Sequence, residues 1–439
     1  MMNKEESSLT AGKNGPVLLQ DIRLIGKLSR FVRGSIPERV VFAKGAGAHG
    51  FFRVYMPMSD FTSAAFLQNP EKKIPVFVRF STMTGSKGSA DTLRDVRGFA
   101  TKFYTTEGNY DMICTSLPVF FIRDAMQFPE LMHALKPSPK TNLTEPARFW
   151  KYISENPEAT HMTTWLFSDH GTLKSYRHMD GYSMNTYIWV SESGNRQFVR
   201  YHWKPLRGVK NISRQEAEFL AGFDPDAAAR DLSDSLESGE LTDYELNVQL
   251  IPFEKQNQYD FDILDATKLW PEDKVPLMKV GKMTLNKAPE DYYEEVEKVA
   301  FSPANIVPGI EFSFDRLLQG SIFASLEANR HRLGSDFDEF PVNQTKYAVN
   351  YAAAHQRREL YPPLEIEGPV DRKRTPKGDD FIQAGERYRS LTPKEKDRLV
   401  DNILDHLMFV DDDIQEKVVG YFTQADQDFG ARIARGLDF

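Results

Sequence analysis

Gly45-Ala46-Gly47-Ala48-His49-Gly50 carries the glycine spacing that cradles dinucleotide phosphates. That use needs a strand before the glycines and a helix after them, so that a helix N-terminus faces the pyrophosphate. Here Phe51-Phe52-Arg53-Val54-Tyr55 follows, a strand-like run. A tight glycine turn between two strands is expected instead of a phosphate cradle. The nine histidines form no HxxxH or HExxH pair, so spacing gives no metal site. No GxSxG elbow is present, which argues against an α/β-hydrolase triad. The single cysteine, Cys114, reads as a small buried strand residue.

The elements that must position any site are β-rich at first. Arg39–Ala43, Phe51–Tyr55, Val76–Thr82, Gly98–Tyr104 and Pro118–Ile122 are short, β-branched or aromatic, and bounded by turn residues. Strands return at Asn185–Val190 and Phe198–Trp203, with Gly194-Asn195 as a hairpin signal, and again at Tyr244–Ile251. A helix is expected over about 213–238. Many strands of similar length predict a closed antiparallel barrel. Residues 301–375 show little periodicity and read as a wrapping connection, and 379–436 read as amphipathic helices. The expected organisation is α+β: an arm at 1–36, a barrel with helical insertions at 37–300, the connection at 301–378 and a C-terminal helical domain at 379–439.

Composition narrows the function classes. The chain has 439 residues, 41% of them hydrophobic, and a net charge of −8, which suits a large buried core and gives no basic patch for nucleic acid. One cysteine excludes an intramolecular disulfide framework and suits a reducing cytoplasm. No apolar run reaches membrane-spanning length, and Met1 to Lys13 lacks the apolar core of a secretory signal. A cytoplasmic protein without nucleic-acid or membrane partners is expected.

Several longer motifs point to one family. Gln319-Gly320-Ser321-Ile322-Phe323-Ala324-Ser325 running into Arg330-His331-Arg332-Leu333-Gly334 resembles the proximal haem-ligand signature of the monofunctional haem catalases. Pro37–Gly47, Val78–Thr82, Asp95–Ala100, Phe120–Asp124, Arg177–Tyr182 and Leu9–Asp21 are similar to other segments of that family, and Asp380–Tyr388 to the helical tail of its small-subunit bacterial members. The resemblance covers nearly the whole chain and implies the catalase fold and a homo-oligomer, a tetramer with an exchanged N-terminal arm.

The resemblance also implies site residues, and the chain departs from them. In the family, the Ser325 position is the tyrosine that binds iron, and the Ser321 position an arginine that keeps it ionised. A serine hydroxyl is far less acidic than a phenol, and haem iron in catalases is held by tyrosinate. The Phe42 position is the distal histidine, and a phenyl ring has no proton to give or take. Thr115 stands for the peroxide-orienting asparagine, so no catalytic residue is retained. Arg39, Arg79 and Arg332 correspond to arginines around the haem propionates and proximal ligand, and Phe120, Phe121 and Phe128 to pocket aromatics. Phe42, Phe312 and Phe314 are expected to fill vacated haem volume together. His161, Ser168, His202, Lys204 and Trp270 match the family's NADPH site, while His170, Asp180 and Glu272 depart from it, so NADPH binding is not expected.

These substitutions predict a haem-free protein with no metal and no ordinary hydrogen peroxide dismutation, whose pocket takes a small anionic or organic ligand. The alternatives are a haem-dependent catalase- or peroxidase-type oxidoreductase acting on hydrogen peroxide, and a nucleotide-binding (NADPH) module.

Overall fold

The computed structural model describes residues 7–349, 361, 363–364, 366–372 and 378–438. Within the expected 301–378 connection, residues 350–360, 362, 365 and 373–377 therefore lie outside the described residues. The chain opens with an arm that closes on itself at a bridge between Thr10 and Val17, then enters helix α1 (Ile22–Arg33). Asp21 caps that helix by accepting from the Leu24 amide at 3.0 Å.

Among the described residues ten strands follow: β1 (Gly45–Val54), β2 (Ile74–Thr82), β3 (Arg97–Thr105), β4 (Gly108–Thr115), β5 (Gly181–Tyr182), β6 (Tyr187–Val190), β7 (Arg196–Pro205), β8 (Thr242–Pro252), β9 (Met278–Lys287) and β10 (Ile310–Phe312). Eight of them close an antiparallel barrel in the order β7-β5-β4-β3-β2-β1-β9-β8, with β7 returning to pair with β8. β6 and β10 extend the sheet beyond β7. The barrel is filled by aromatics, among them Phe52, Phe80, Phe99, Phe103, Tyr110 and Trp203. Closure removes the exposed edges that a sheet of this size would otherwise present.

The glycine run is not a turn. Gly45, Gly47 and Gly50 lie within β1 itself. A Cβ at Gly45 would meet the Phe80 carbonyl oxygen at 2.4 Å, and one at Gly50 would meet the Thr284 carbonyl oxygen at 2.2 Å, beside the register shift at His49/Gly50. Close backbone approach on both sides, not a reversal of direction, is what requires glycine there.

Two expected strands are absent. Arg39–Ala43 and Pro118–Ile122 are irregular, and their backbone groups bond across loops: Phe42 N–H to Met83 O and Phe120 N–H to Ala266 O. The expected helix at 213–238 is two helices, α5 (Arg214–Phe223) and α6 (Ala227–Glu237), because Pro225 breaks the run. Helices α2 (Phe128–Leu135), α3 (Pro146–Glu155) and α4 (Thr160–Leu166) precede β5.

The stretch read as a pattern-poor connection contains helix α7 (Arg316–Leu333). Asp315 caps it, accepting from the Leu317 and Leu318 amides at 2.8 and 3.1 Å, and Gly334 ends it with φ of 94°. Its buried residues, Leu317, Leu318, Asn329 and Arg332, include two polar ones, so no apolar stripe marks it. Four helices complete the chain: α8 (Ile382–Ser390), α9 (Pro393–Leu407), α10 (Asp412–Ala425) and α11 (Gln427–Gly436). Leu399, Ile403, Phe422 and Phe429 of this group share a second core with Phe149, Trp150 and Phe167. Among the described residues no helix is long and apolar enough to cross a membrane.

Candidate functional site

Two arginines meet one carboxylate, and a third lies close enough to act on both. Arg39 precedes the barrel, Arg79 sits on β2, and Arg332 on the last turn of α7. Arg39 Nη1 and Arg332 Nη1 lie 3.7 and 4.0 Å from the Glu297 carboxylate. Both also donate to backbone oxygens of the 296–299 turn: Arg39 Nη2 to Val296, Glu297 and Val299 at 2.9, 2.9 and 3.0 Å, and Arg332 Nη1 to Glu297 at 2.6 Å. Arg79 donates to the Phe42 and Ala43 carbonyls at 2.8 and 2.9 Å.

Glu297 thus meets two guanidinium groups and, at 3.7 Å, the Lys87 ammonium with a single charge, while Arg79 feels that charge from beyond ion-pair distance. Burial, then repulsion from Arg79 and Arg332, holds Arg39 well below the usual arginine range. Burial lowers Arg332 to about 10. Two buried nitrogens of the cluster, Arg39 Nη1 and Arg79 Nε, make no hydrogen bond. A buried cluster with more cations than carboxylates is unfavourable unless an anion joins it. A group carrying two carboxylates, as haem does, fits this cluster.

The apolar wall is assembled as expected in part. Phe120 and Phe121 are buried with ring centroids 5.8 Å apart. Phe42, Phe121, Phe128 and Leu317 of α7 belong to one apolar cluster. Phe312, however, packs against the barrel core, and Phe314 is 42% exposed. The three phenylalanines expected to form a plug are therefore dispersed, because β10 ties Phe312 to Tyr187 of β6.

On the side where the family carries its distal histidine, Phe42 adopts φ of 62°. A bulky side chain is strained in this left-handed region. Its ring covers Gly98: a Cβ there would meet Phe42 Cδ1 at 2.9 Å and Ser81 Oγ at 2.5 Å. Gly98 pairs across the sheet with Ser81 and Thr115, so register gathers Phe42, Ser81 and Thr115 around one glycine. The Thr115 hydroxyl donates to the Leu117 carbonyl at 2.9 Å and holds its proton there.

On the opposite side stand the two serines of α7. Ser321 Oγ donates to the Leu317 carbonyl at 2.7 Å, and Ser325 Oγ to the Ile322 carbonyl at 3.1 Å. Both are local helix bonds that a serine makes readily. This side offers an alcohol where the carboxylate edge offers matching cations. Glu297 and Ser302, which complete the site, were not singled out from the sequence; no motif marks either residue.

The five positions matched to an NADPH site spread around a groove. His202 and Trp270 line it, together with Trp165, Tyr182, Arg200 and Glu272, around about 170 Å³. His202 stacks on Tyr182 at 4.1 Å and meets Asp180 Oδ1 at 3.2 Å. His161 is buried behind Trp165, whose indole N–H donates to it at 3.1 Å. Ser168 Oγ donates to the Trp165 carbonyl at 2.7 Å, and Lys204 is half-buried on β7. Arg387 of α8 lies over the Trp165 ring at 3.8 Å, a contact the sequence did not announce.

Comparison with known proteins places this geometry in context. A family model described as Catalase matches residues 1–361, and one described as Catalase-related immune-responsive matches 374–437. The chain is 44% identical to the Catalase of Methanosarcina barkeri over 99% of this chain and 92% of that protein. It is 43% identical to Catalase-2 of Bacillus subtilis over 99% of this chain and 69% of that protein. It is also 43% identical to the Bromoperoxidase-catalase of Streptomyces venezuelae over 98% of this chain and 95% of that protein.

These findings correct the expectation of a haem-free protein lacking peroxide chemistry, with a pocket given over to another ligand. Full-length identity at this level to proteins named catalase favours the haem-dependent alternative. The expectation gave the substituted positions too much weight against a scaffold retained from end to end.

Proposed function

The chain belongs to the catalase family, and from that premise we propose that it is a haem-dependent oxidoreductase of the catalase or peroxidase type acting on hydrogen peroxide. The observation that carries the reading is the surplus of cationic charge at Arg39, Arg79 and Arg332 around Glu297. These arginines would hold the haem carboxylates, with Phe120, Phe121 and Phe128 against the ring. Ser321 and Ser325 of α7 would face its other side.

When bound, haem supplies the redox chemistry of peroxide cleavage. The chain's own residues bind and shape. Phe42 excludes water from the surface it covers and moves no proton. Thr115 keeps its hydroxyl committed as a donor to the Leu117 carbonyl. Ser81, a buried hydroxyl of β2, lies with Phe42 against Gly98. Phe42 thus leaves this side without an imidazole to raise the rate of proton transfer.

Expression with added haem precursor, followed by an absorbance spectrum and an oxygen electrode, tests the reading. A Soret band near one haem per chain, with oxygen release above that of free haem, is expected. Colourless protein that stays colourless after haem titration overturns it. The family relationship also supports a homotetramer, which light scattering measures directly.

A further inference from the structure

A second cavity, about 260 Å³, lies where the C-terminal helices meet the barrel side. Trp165, Leu269 and Pro271 form one wall, and Gln383, Glu386, Arg387 and Ser390 of α8 the other. Whatever parts α8 from α4 opens this groove.

Two histidines sit in the seam, each as a hydrogen-bond acceptor toward the other side. His406 of α9 receives the Trp150 indole N–H of α3 on Nδ1 at 3.0 Å. His170, just after α4, has its Nδ1 3.3 Å from Arg387 Nη2 of α8. A guanidinium and an indole N–H only donate, so both imidazoles must be neutral at Nδ1. Protonating either one sets an N–H against an N–H, and at His170 a cation against a cation.

The surroundings reinforce this. His406 faces Phe149, Trp150, Phe167 and the Arg94 guanidinium. His170 faces Trp165 and Arg387, with Asp169, Asp180 and Glu395 as its nearby carboxylates. Asp169 is itself engaged by Arg398 of α9, at 2.9 and 3.0 Å from Nε. Burial is the leading cause that lowers both imidazoles to about 4.

We propose that His170 and His406 form an acid-released latch that holds the C-terminal helices closed over this groove. Both groups have folded pKa values below the ordinary 6.5, so the closed state binds fewer protons than the open one. Closure is unaffected above pH 6.5, weakens as pH falls below it, and has lost the full contribution at about 4. Each histidine should favour the open form by about tenfold per pH unit in that window.

Hydrogen exchange of the full chain between pH 7.5 and 4.5, corrected for intrinsic rates, tests this. Protection of α8 to α11 should fall by about a hundredfold per pH unit below 6.5 while the barrel strands keep theirs. His170→Gln and His406→Gln retain an acceptor oxygen but cannot take the proton. Each should reduce the dependence to about tenfold per unit, and the double variant should flatten it. An unchanged dependence in the double variant overturns the latch, as does equal loss of protection across the barrel. Should a variant fail to fold, proton uptake by the wild-type chain on opening at about pH 5 decides: about two supports the latch, none overturns it.

Discussion

Ser325 Oγ lies 3.1 Å from Ser302 Oγ while giving its own proton to the Ile322 carbonyl, so Ser302 is the donor of that pair. Ser302 is in turn fixed by its backbone N–H, which donates to Asp111 Oδ2 at 3.0 Å. Ser325, the α7 residue that the resemblance matches to an iron-ligand position, is thus tied into the barrel through a short polar chain.

Replacing Ser325 with tyrosine should tighten haem binding, and adding Ser321→Arg should tighten it further. A phenol titrates near 10, and an adjacent arginine lowers that by about 1–3 units, giving ten to a thousand times more phenolate at neutral pH. Haem transfer to an apo-globin acceptor measures the gain. Equal transfer rates for wild type and both variants would contradict it.

Phe42→His should raise oxygen release by about a hundredfold or more, the usual scale for a positioned acid–base group. It should cost little through the backbone, because histidine tolerates positive φ better than phenylalanine. Rates at saturating haem and a thermal melt separate the two effects.

Glu297→Gln should destabilise the haem-free chain by about 3–5 kcal/mol, since it leaves the Arg39 and Arg332 guanidinium groups without their carboxylate. Arg39→Met should instead weaken haem binding at much smaller cost in stability. Urea unfolding and Soret titration, performed on both variants, distinguish these outcomes.

The buried Lys102–Asp111 pair, bonded at 2.7 and 2.9 Å, supports the turn that carries Ser302. Asp111→Asn should cost about 3–5 kcal/mol by stranding the lysine. A loss below about 1 kcal/mol in urea would mean that water reaches the pair.

Helix α1 buries none of its residues, and Ile22, Leu28, Phe31 and Val32 are all more than half exposed. An apolar helix face of this kind is expected at a subunit contact. Leu28→Asp with Phe31→Asp should shift the light-scattering mass toward smaller species, and an unchanged mass would show that the oligomer does not use α1.

Local pattern was enough for some of this protein. Short runs rich in β-branched and aromatic residues announced β2, β3, β7 and β8, because such side chains fit a pleated, packed surface. Thr392 and Pro393 announced the start of α9, where the capping box with Glu395 is present. The family motifs located Arg39, Arg79 and Arg332 before any geometry was known. Only the folded chain decided what those arginines face: Glu297 lies hundreds of residues from Arg39 and Arg79, in a turn without periodicity. The glycines of β1 looked like a turn because the backbone oxygens that crowd them come from β2 and β9. Phe312 and Phe314 looked like partners of Phe42 because spacing in sequence cannot tell that β10 draws one into the barrel and leaves the other exposed. Short-range sterics and hydrophobic periods are written in neighbouring residues; close approach, charge balance and the commitment of a hydroxyl such as Thr115 depend on atoms that closure of the barrel brings in from elsewhere.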